Sequence, residues 1–174
     1  MEKSSDQGFT LMELIVVLTL FMIASAIAIP NISSFRATYK LKASARNLAG
    51  TLQKARSEAL VQRSNCAITF NTSINGNNYD YIVYLDTGTE NWKYDNGEPL
   101  LAAANLSDDA SITFSAAGIS FPIPAGGGPS VAFNARGWPR FHDGSLGGGS
   151  VTIQNSRGKT RSVVLTPLGG VQVN

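Results

Sequence analysis

The strongest constraint on this chain is the placement of its charge near the start. From Phe9 to Ile29 the only ionisable side chain is Glu13. At about 1.5 Å of rise per residue, a helix over this run is about 30 Å long, enough to cross the hydrocarbon core of a bilayer. A helix also satisfies its own backbone polar groups, as a lipid environment requires. Residues 9–29 are therefore expected to form a transmembrane helix that can also serve in assembly.

Three explanations of this segment compete. A secretory signal peptide would place a small-residue cleavage site after the apolar stretch, and Ala24-Ser25-Ala26 or Ala26-Ile27-Ala28 could imitate one. Against it, Lys3 is outnumbered by Glu2 and Asp6, and the apolar run is long. A plain membrane anchor leaves Glu13 unexplained, because a carboxylate within a membrane segment is costly and usually functional. The third explanation starts from Gly8-Phe9-Thr10-Leu11-Met12-Glu13 followed by the apolar run. This resembles the prepilin peptidase recognition sequence of type IV pilins and pseudopilins. The resemblance implies a leader of residues 1–8, cleavage between Gly8 and Phe9 by prepilin peptidase, and N-methylation of Phe9. It also makes Glu13 the fifth residue of the mature chain. A carboxylate buried in a helical bundle needs a positive partner. The N-terminal ammonium of a neighbouring subunit would supply one and set the axial register; the alternative is a Glu13 solvated near the membrane interface.

Pro30 is expected to interrupt the helix, since proline lacks a backbone donor and kinks or melts helical turns. Helical spacing then resumes: Leu41, Ala45, Leu48, Leu52, Ala55 and Ala59 form one apolar stripe, with Lys40, Lys42, Arg46, Lys54, Arg56 and Arg63 among the residues off it. An amphipathic helix is expected over 30–63, stopped at Ser64-Asn65. Its basic face is either simply solvated or close to anionic lipid or an acidic neighbour. The narrow, alanine-rich stripe calls for a close partner, and a β-sheet is the natural one.

Residues 64–174 are expected to form a β-rich head. Cys66, Ile68 and Phe70 alternate with Ala67, Thr69 and Asn71, the pattern of a half-buried strand. Tyr79–Asp86, Ile112–Phe114, Ile119–Phe121, Ser130–Phe133, Val151–Ile153, Arg161–Leu165 and Val171–Val173 have strand composition. Asn75-Gly76 and Asp95-Asn96-Gly97 mark turns. The expected class is α+β: a long N-terminal helix packed on an antiparallel β-rich head. The 43% of hydrophobic residues can build such a core, and Cys66, the only cysteine, is expected to be buried rather than reactive.

The order of elements, with Ala43-Ser44-Ala45-Arg46-Asn47-Leu48 and Leu52–Ala59 leading into Ile68-Thr69-Phe70, resembles the GspH/FimT group of minor pilins and pseudopilins. Weaker likeness continues at Phe133–Gly137 and Val163–Val173. The resemblance implies a structural minor subunit of a type IV pilus or a type II secretion pseudopilus. Its partners would be other pilin or pseudopilin subunits, prepilin peptidase, and inner-membrane lipid before assembly. It implies a single-pass protein of the bacterial inner membrane with a periplasmic head. Major pilins of this kind usually carry a disulfide-bounded C-terminal loop, for which this chain lacks the cysteines.

No catalytic set stands out, and neither a cofactor nor a metal is expected. His142 alone makes a poor zinc site. Asp86, Glu90, Asp95, Asn96 and Glu98 gather oxygen ligands of the kind calcium takes, but without the spacing of a known calcium loop; structural turns are expected instead. Asp108-Asp109 is expected to be a solvated turn. The alternative function is binding of DNA, seen in some FimT-like pilins, or of another surface ligand, in natural transformation or adhesion. Those proteins use a Gly-Arg-x-Arg motif where this chain has Gly169-Gly170-Val171-Gln172. Arg157, Lys159 and Arg161 form a separate basic hairpin to which Arg136 and Arg140 could add; an edge strand protected by charge is expected there rather than a nucleic-acid site. A net charge of +2 supports only weak, salt-dependent contact with nucleic acid.

Overall fold

The computed structural model describes residues 9–88, 91–106 and 112–174, with the side chains of 27–33 and 116 left aside. The chain divides into two compact units, one ending at Arg36 and the other comprising Ala37–Asn174. One helix, α1 (Leu11–Gln62), contributes to both.

Local chemistry explains where α1 starts and ends. Thr10 is its N-cap: its Oγ1 accepts a hydrogen bond from the Glu13 backbone N–H at 3.2 Å. This satisfies one of the donors that a helix start leaves open. At the other end Arg63 takes a left-handed conformation, φ 50°, and the strand β1 (Asn65–Ile74) follows at once. The stop therefore falls one residue before the Ser64-Asn65 expected from sequence. The backbone stays helical through residue 30, so Pro30 does not melt the helix. Proline removes one donor from the ladder, and the turns on either side remain hydrogen-bonded.

In the second unit the apolar stripe is the centre of the core. Leu41, Ala45, Leu48, Leu52, Ala55 and Ala59 are each at most 1% exposed. They face two antiparallel sheets. Sheet A runs in the order β3 (Leu100–Ala104), β2 (Asn77–Asp86), β1, β5 (Ser130–Phe133), β6 (Pro139–Arg140). Sheet B runs β4 (Ile112–Ile119), β7 (Gly149–Asn155), β8 (Thr160–Leu165), β9 (Val171–Val173). Alanine at three of the six stripe positions keeps those side chains short, which lets the sheets approach closely. The result is the α+β arrangement of helix on antiparallel sheet.

Phe70 joins the layers. Its ring stacks on Phe121 at 5.6 Å and on Phe114 of sheet B at 6.2 Å, and tilts against Tyr81 at 6.3 Å. Such ring contacts add to the burial of large apolar area. Beside Phe70, Gly128 passes so close to the Phe70 carbonyl oxygen that a Cβ there would collide with it.

Three sequence expectations change. β1 is buried on both faces over Cys66–Phe70 rather than half-buried. Ala67 joins Ile82, Tyr84, Trp92 and Ala132 in a second apolar cluster on the face of sheet A away from α1. The loop carrying Trp92 supplies that cover. Ile119 belongs to β4, after an irregularity in its pairing with β7, and Phe121 is buried outside any strand. Strands β3 and β6 were not expected: Leu100–Ala104 has alanine where strand composition would put β-branched residues, and Pro139–Arg140 is too short to show a pattern.

Candidate assembly surface

The first unit presents apolar side chains on all sides. Every large apolar residue from Leu11 to Ile23 is between 49% and 78% exposed. A helix that is apolar all round is stable when something surrounds it, and none of the described residues of this unit does. Among the described residues no helix is long and apolar enough to cross a membrane. The expected span 9–29 ends on residues 27–29, whose side chains lie outside the described set, as do all of residues 1–8 and with them Gly8.

Phe9 and Glu13 sit at the open end of this surface, both exposed. Glu13 lies in the first turn of α1. A negative side chain there is favoured by the unpaired N–H groups and the positive end of the helix dipole. Thr10-Leu11-Met12-Glu13 also has the Thr-x-x-Glu form of a capping box. This local signal, legible in the sequence, makes Thr10 the cap that positions the first turn carrying Glu13.

The basic residues separate into distinct places. Arg161, on β8, lines a cleft of about 240 Å³ with Lys42 and Arg46 of α1 and Val173 of β9. Arg157 and Lys159 lie in the turn before β8, where both backbone N–H groups donate to Asn155 Oδ1, at 3.1 and 3.0 Å. Arg140 is on β6 of the other sheet, its Nη1 donating to the Gly144 carbonyl at 3.2 Å. Arg136 is in the turn that closes with Gly137 N donating to Asn134 O. Arg136 and Arg140, which could add to the β8 hairpin, thus belong to sheet A and the turn before β6. The fold brings Lys42 and Arg46 to Arg161 instead, which no spacing along the sequence announces.

The oxygen-rich segment holds a loop together. Asp86 Oδ2 accepts from the Trp92 N–H at 2.8 Å, and Glu98 Oε2 from the Asp95 N–H at 2.9 Å. Asp95 Oδ2 accepts from Asn91 Nδ2 at 2.8 Å. Burial, followed by the negative Asp86 nearby, raises the Glu98 carboxyl above its usual range, opposed by the Asp95 hydrogen bond. Among the described residues no group of three or more His, Cys, Asp or Glu side chains is placed to hold a metal. Glu90, Asp108 and Asp109 lie outside the described residues. His142 is exposed, edge-on to Trp92 at 6.4 Å. Cys66 is buried, and burial together with the negative Glu58 pushes its thiol up to about 12, so it is not a thiolate at neutral pH.

With this arrangement in view, the likeness to known proteins is informative. Residues 44–169 match the family of the type II transport protein GspH. The chain belongs to the GspH family. Residues 3–29 match the prokaryotic N-terminal methylation motif, which covers the exposed apolar start of α1. The GspH region covers the stripe of α1 and both sheets. Among solved structures, the chain is similar to the minor pseudopilin EpsH from the type 2 secretion system of Vibrio cholerae. The two are 11% identical, the match covers 78% of this chain and 96% of that one, and the TM-score is 0.53. At that identity the likeness is one of fold. The type IV minor pilin FimU of Pseudomonas aeruginosa is 17% identical over 77% of this chain and 92% of its own, with a TM-score of 0.45. No curated protein sequence matches this chain.

Proposed function

We propose that this GspH-family chain is a minor structural subunit of a type II secretion pseudopilus or a type IV pilus, and not an enzyme. The observation that carries the reading is the exposed, all-round apolar surface from Leu11 to Ile23, which coincides with the methylation motif. Before assembly that surface is held by inner-membrane lipid, with the head in the periplasm. Prepilin peptidase cuts between Gly8 and Phe9, and Phe9 is N-methylated. In the filament the same surface packs against the helices of other subunits, each Å² of apolar area removed from solvent contributing about 25 cal/mol. Glu13, exposed at the helix start, meets the terminal ammonium of a neighbour and sets register.

The test is the mass of the N-terminal peptide from membranes of the native host. A peptide beginning with methylated Phe9 is expected. One beginning near Ile27 or Ile29 would show ordinary secretion and remove the filament reading.

A second reading, a head that captures DNA, draws support from the cleft of Lys42, Arg46 and Arg161. Three cations give weak binding that falls steeply with salt. Retention of DNA by the full chain at moderate salt, lost in Arg161→Gln, would favour this reading over a purely structural role.

A further inference from the structure

We propose that the outer edge of β3 is a docking edge, which takes an extended, apolar strand carrying a carboxylate from a neighbouring filament subunit. The inference rests on the assembly reading above and adds a second contact, in the head.

The other sheet edges are short or irregular. β6 is two residues long and consists of a proline and an arginine. β9 has three residues. β4 is irregular in its pairing between Phe114 and Ile119. Charge, proline, shortness and irregularity are the ways in which sheets prevent further pairing. β3 carries neither charge nor proline; its register with β2 shifts at Leu101, between the paired Leu100 and Ala102, and is regular over Ala102–Ala104. It is five residues long, Leu-Leu-Ala-Ala-Ala, and is hydrogen-bonded on one side to β2. Among the described residues, no backbone hydrogen bond reaches its other side. Among the described residues it therefore presents an edge of N–H and C=O groups, flanked at Ala102–Ala104 by small side chains, the backbone chemistry that an incoming strand completes.

A groove supplies the side-chain half of the site. A cavity of about 350 Å³ lies between α1 and this end of sheet A. Gly50, Ala55, Val83, Leu101 and Ala102 line its apolar part, and a Cβ placed on Gly50 would meet nothing within 4 Å. A strand added outside β3 would turn every second side chain toward this groove. Arg46 and Lys54 are also in the lining, against the single carboxylate of Glu58. The net positive rim selects a partner strand with a carboxylate at that position.

Hydrogen exchange on the full-length protein tests this, comparing the chain extracted in detergent with the chain in assembled filaments. The β3 amides that point away from β2 are expected to exchange at least tenfold more slowly in the filament. Ala103 is exposed, so Ala103→Lys should leave thermal unfolding of the extracted chain unchanged, yet reduce its incorporation about tenfold; Ala103→Val, which keeps strand chemistry, should incorporate normally. Arg46→Glu combined with Lys54→Glu should also reduce incorporation. Unchanged exchange at β3 in filaments where the Leu11–Ile23 amides become protected would overturn the inference and leave the assembly reading standing. Protection that appears in detergent and grows with protein concentration would make the occupant a second copy, and would also overturn it. A chain that never enters filaments removes the assembly reading and this inference together.

Discussion

The two parts of α1 use the same residue types to opposite ends. Between Leu41 and Ala59 the six residues of the apolar stripe recur at steps of four and three, and the fold buries all six. Between Leu11 and Ile23 they cover the whole circumference, and all the large ones are exposed. A stripe needs one partner surface, which the chain supplies with its own two sheets. An all-round apolar helix needs partners on every side, and the described residues of its own unit supply none. The difference teaches that one helix carries two kinds of surface: a stripe matched to the interior of the head, and an all-round apolar face that the proposed assembly would cover.

The comparison implies that damage in the first part affects assembly and damage in the second affects stability. The largest effect is expected at Glu13. Glu13→Lys should lower recovery of the chain in sheared filaments more than tenfold, while thermal unfolding of the head stays as in the wild type. A head that melts earlier in this variant would break the division. In the core, Phe70→Ala should destabilise the head by about 3–5 kcal/mol, measured by denaturant unfolding, since it empties the space between Phe114, Phe121 and Tyr81. Leu48→Ala, on the buried stripe, should cost about 2–5 kcal/mol by the same measurement.

Smaller effects sharpen the picture. Gly128→Ala should cost about 1–3 kcal/mol, because the added methyl meets the Phe70 carbonyl and the strand must shift. The Glu98 carboxyl is raised by burial and by Asp86. The folded state therefore holds this proton to higher pH than the unfolded chain does. Head stability should fall as pH rises from the usual glutamate range to the raised one. Glu98→Gln should flatten that slope and raise the melting temperature at neutral pH, as a melting series against pH would show. Leu14→Ala is expected to change head stability by less than about 0.5 kcal/mol, which is ordinary for a surface position.

Much of this was legible in residue order, and particular places show why the rest was not. The stripe from Leu41 to Ala59 could be read because a helix repeats its faces every three to four residues, so burial is written as spacing. Most strands were legible in their β-branched and aromatic runs. β3 was not, because its pairing with β2 makes a strand of three alanines that have no strong preference for one. The burial of Ala67 and Thr69 was hidden as well, since it depends on a loop more than twenty residues away in sequence.

The sequence by itself determined that the chain has an apolar, singly charged start with a methylation-type motif, a striped helix and a β-rich head. Those are statements about neighbours along the chain, where periodicity and composition act. Only the tertiary structure decided that Lys42 and Arg46 meet Arg161, that Phe70 sits where the two sheets join, and that β3 is left with an open edge beside a groove. Each depends on which strands pair and how the sheets close on the helix. Those choices are made by packing between residues far apart in the chain, whose order alone does not record them.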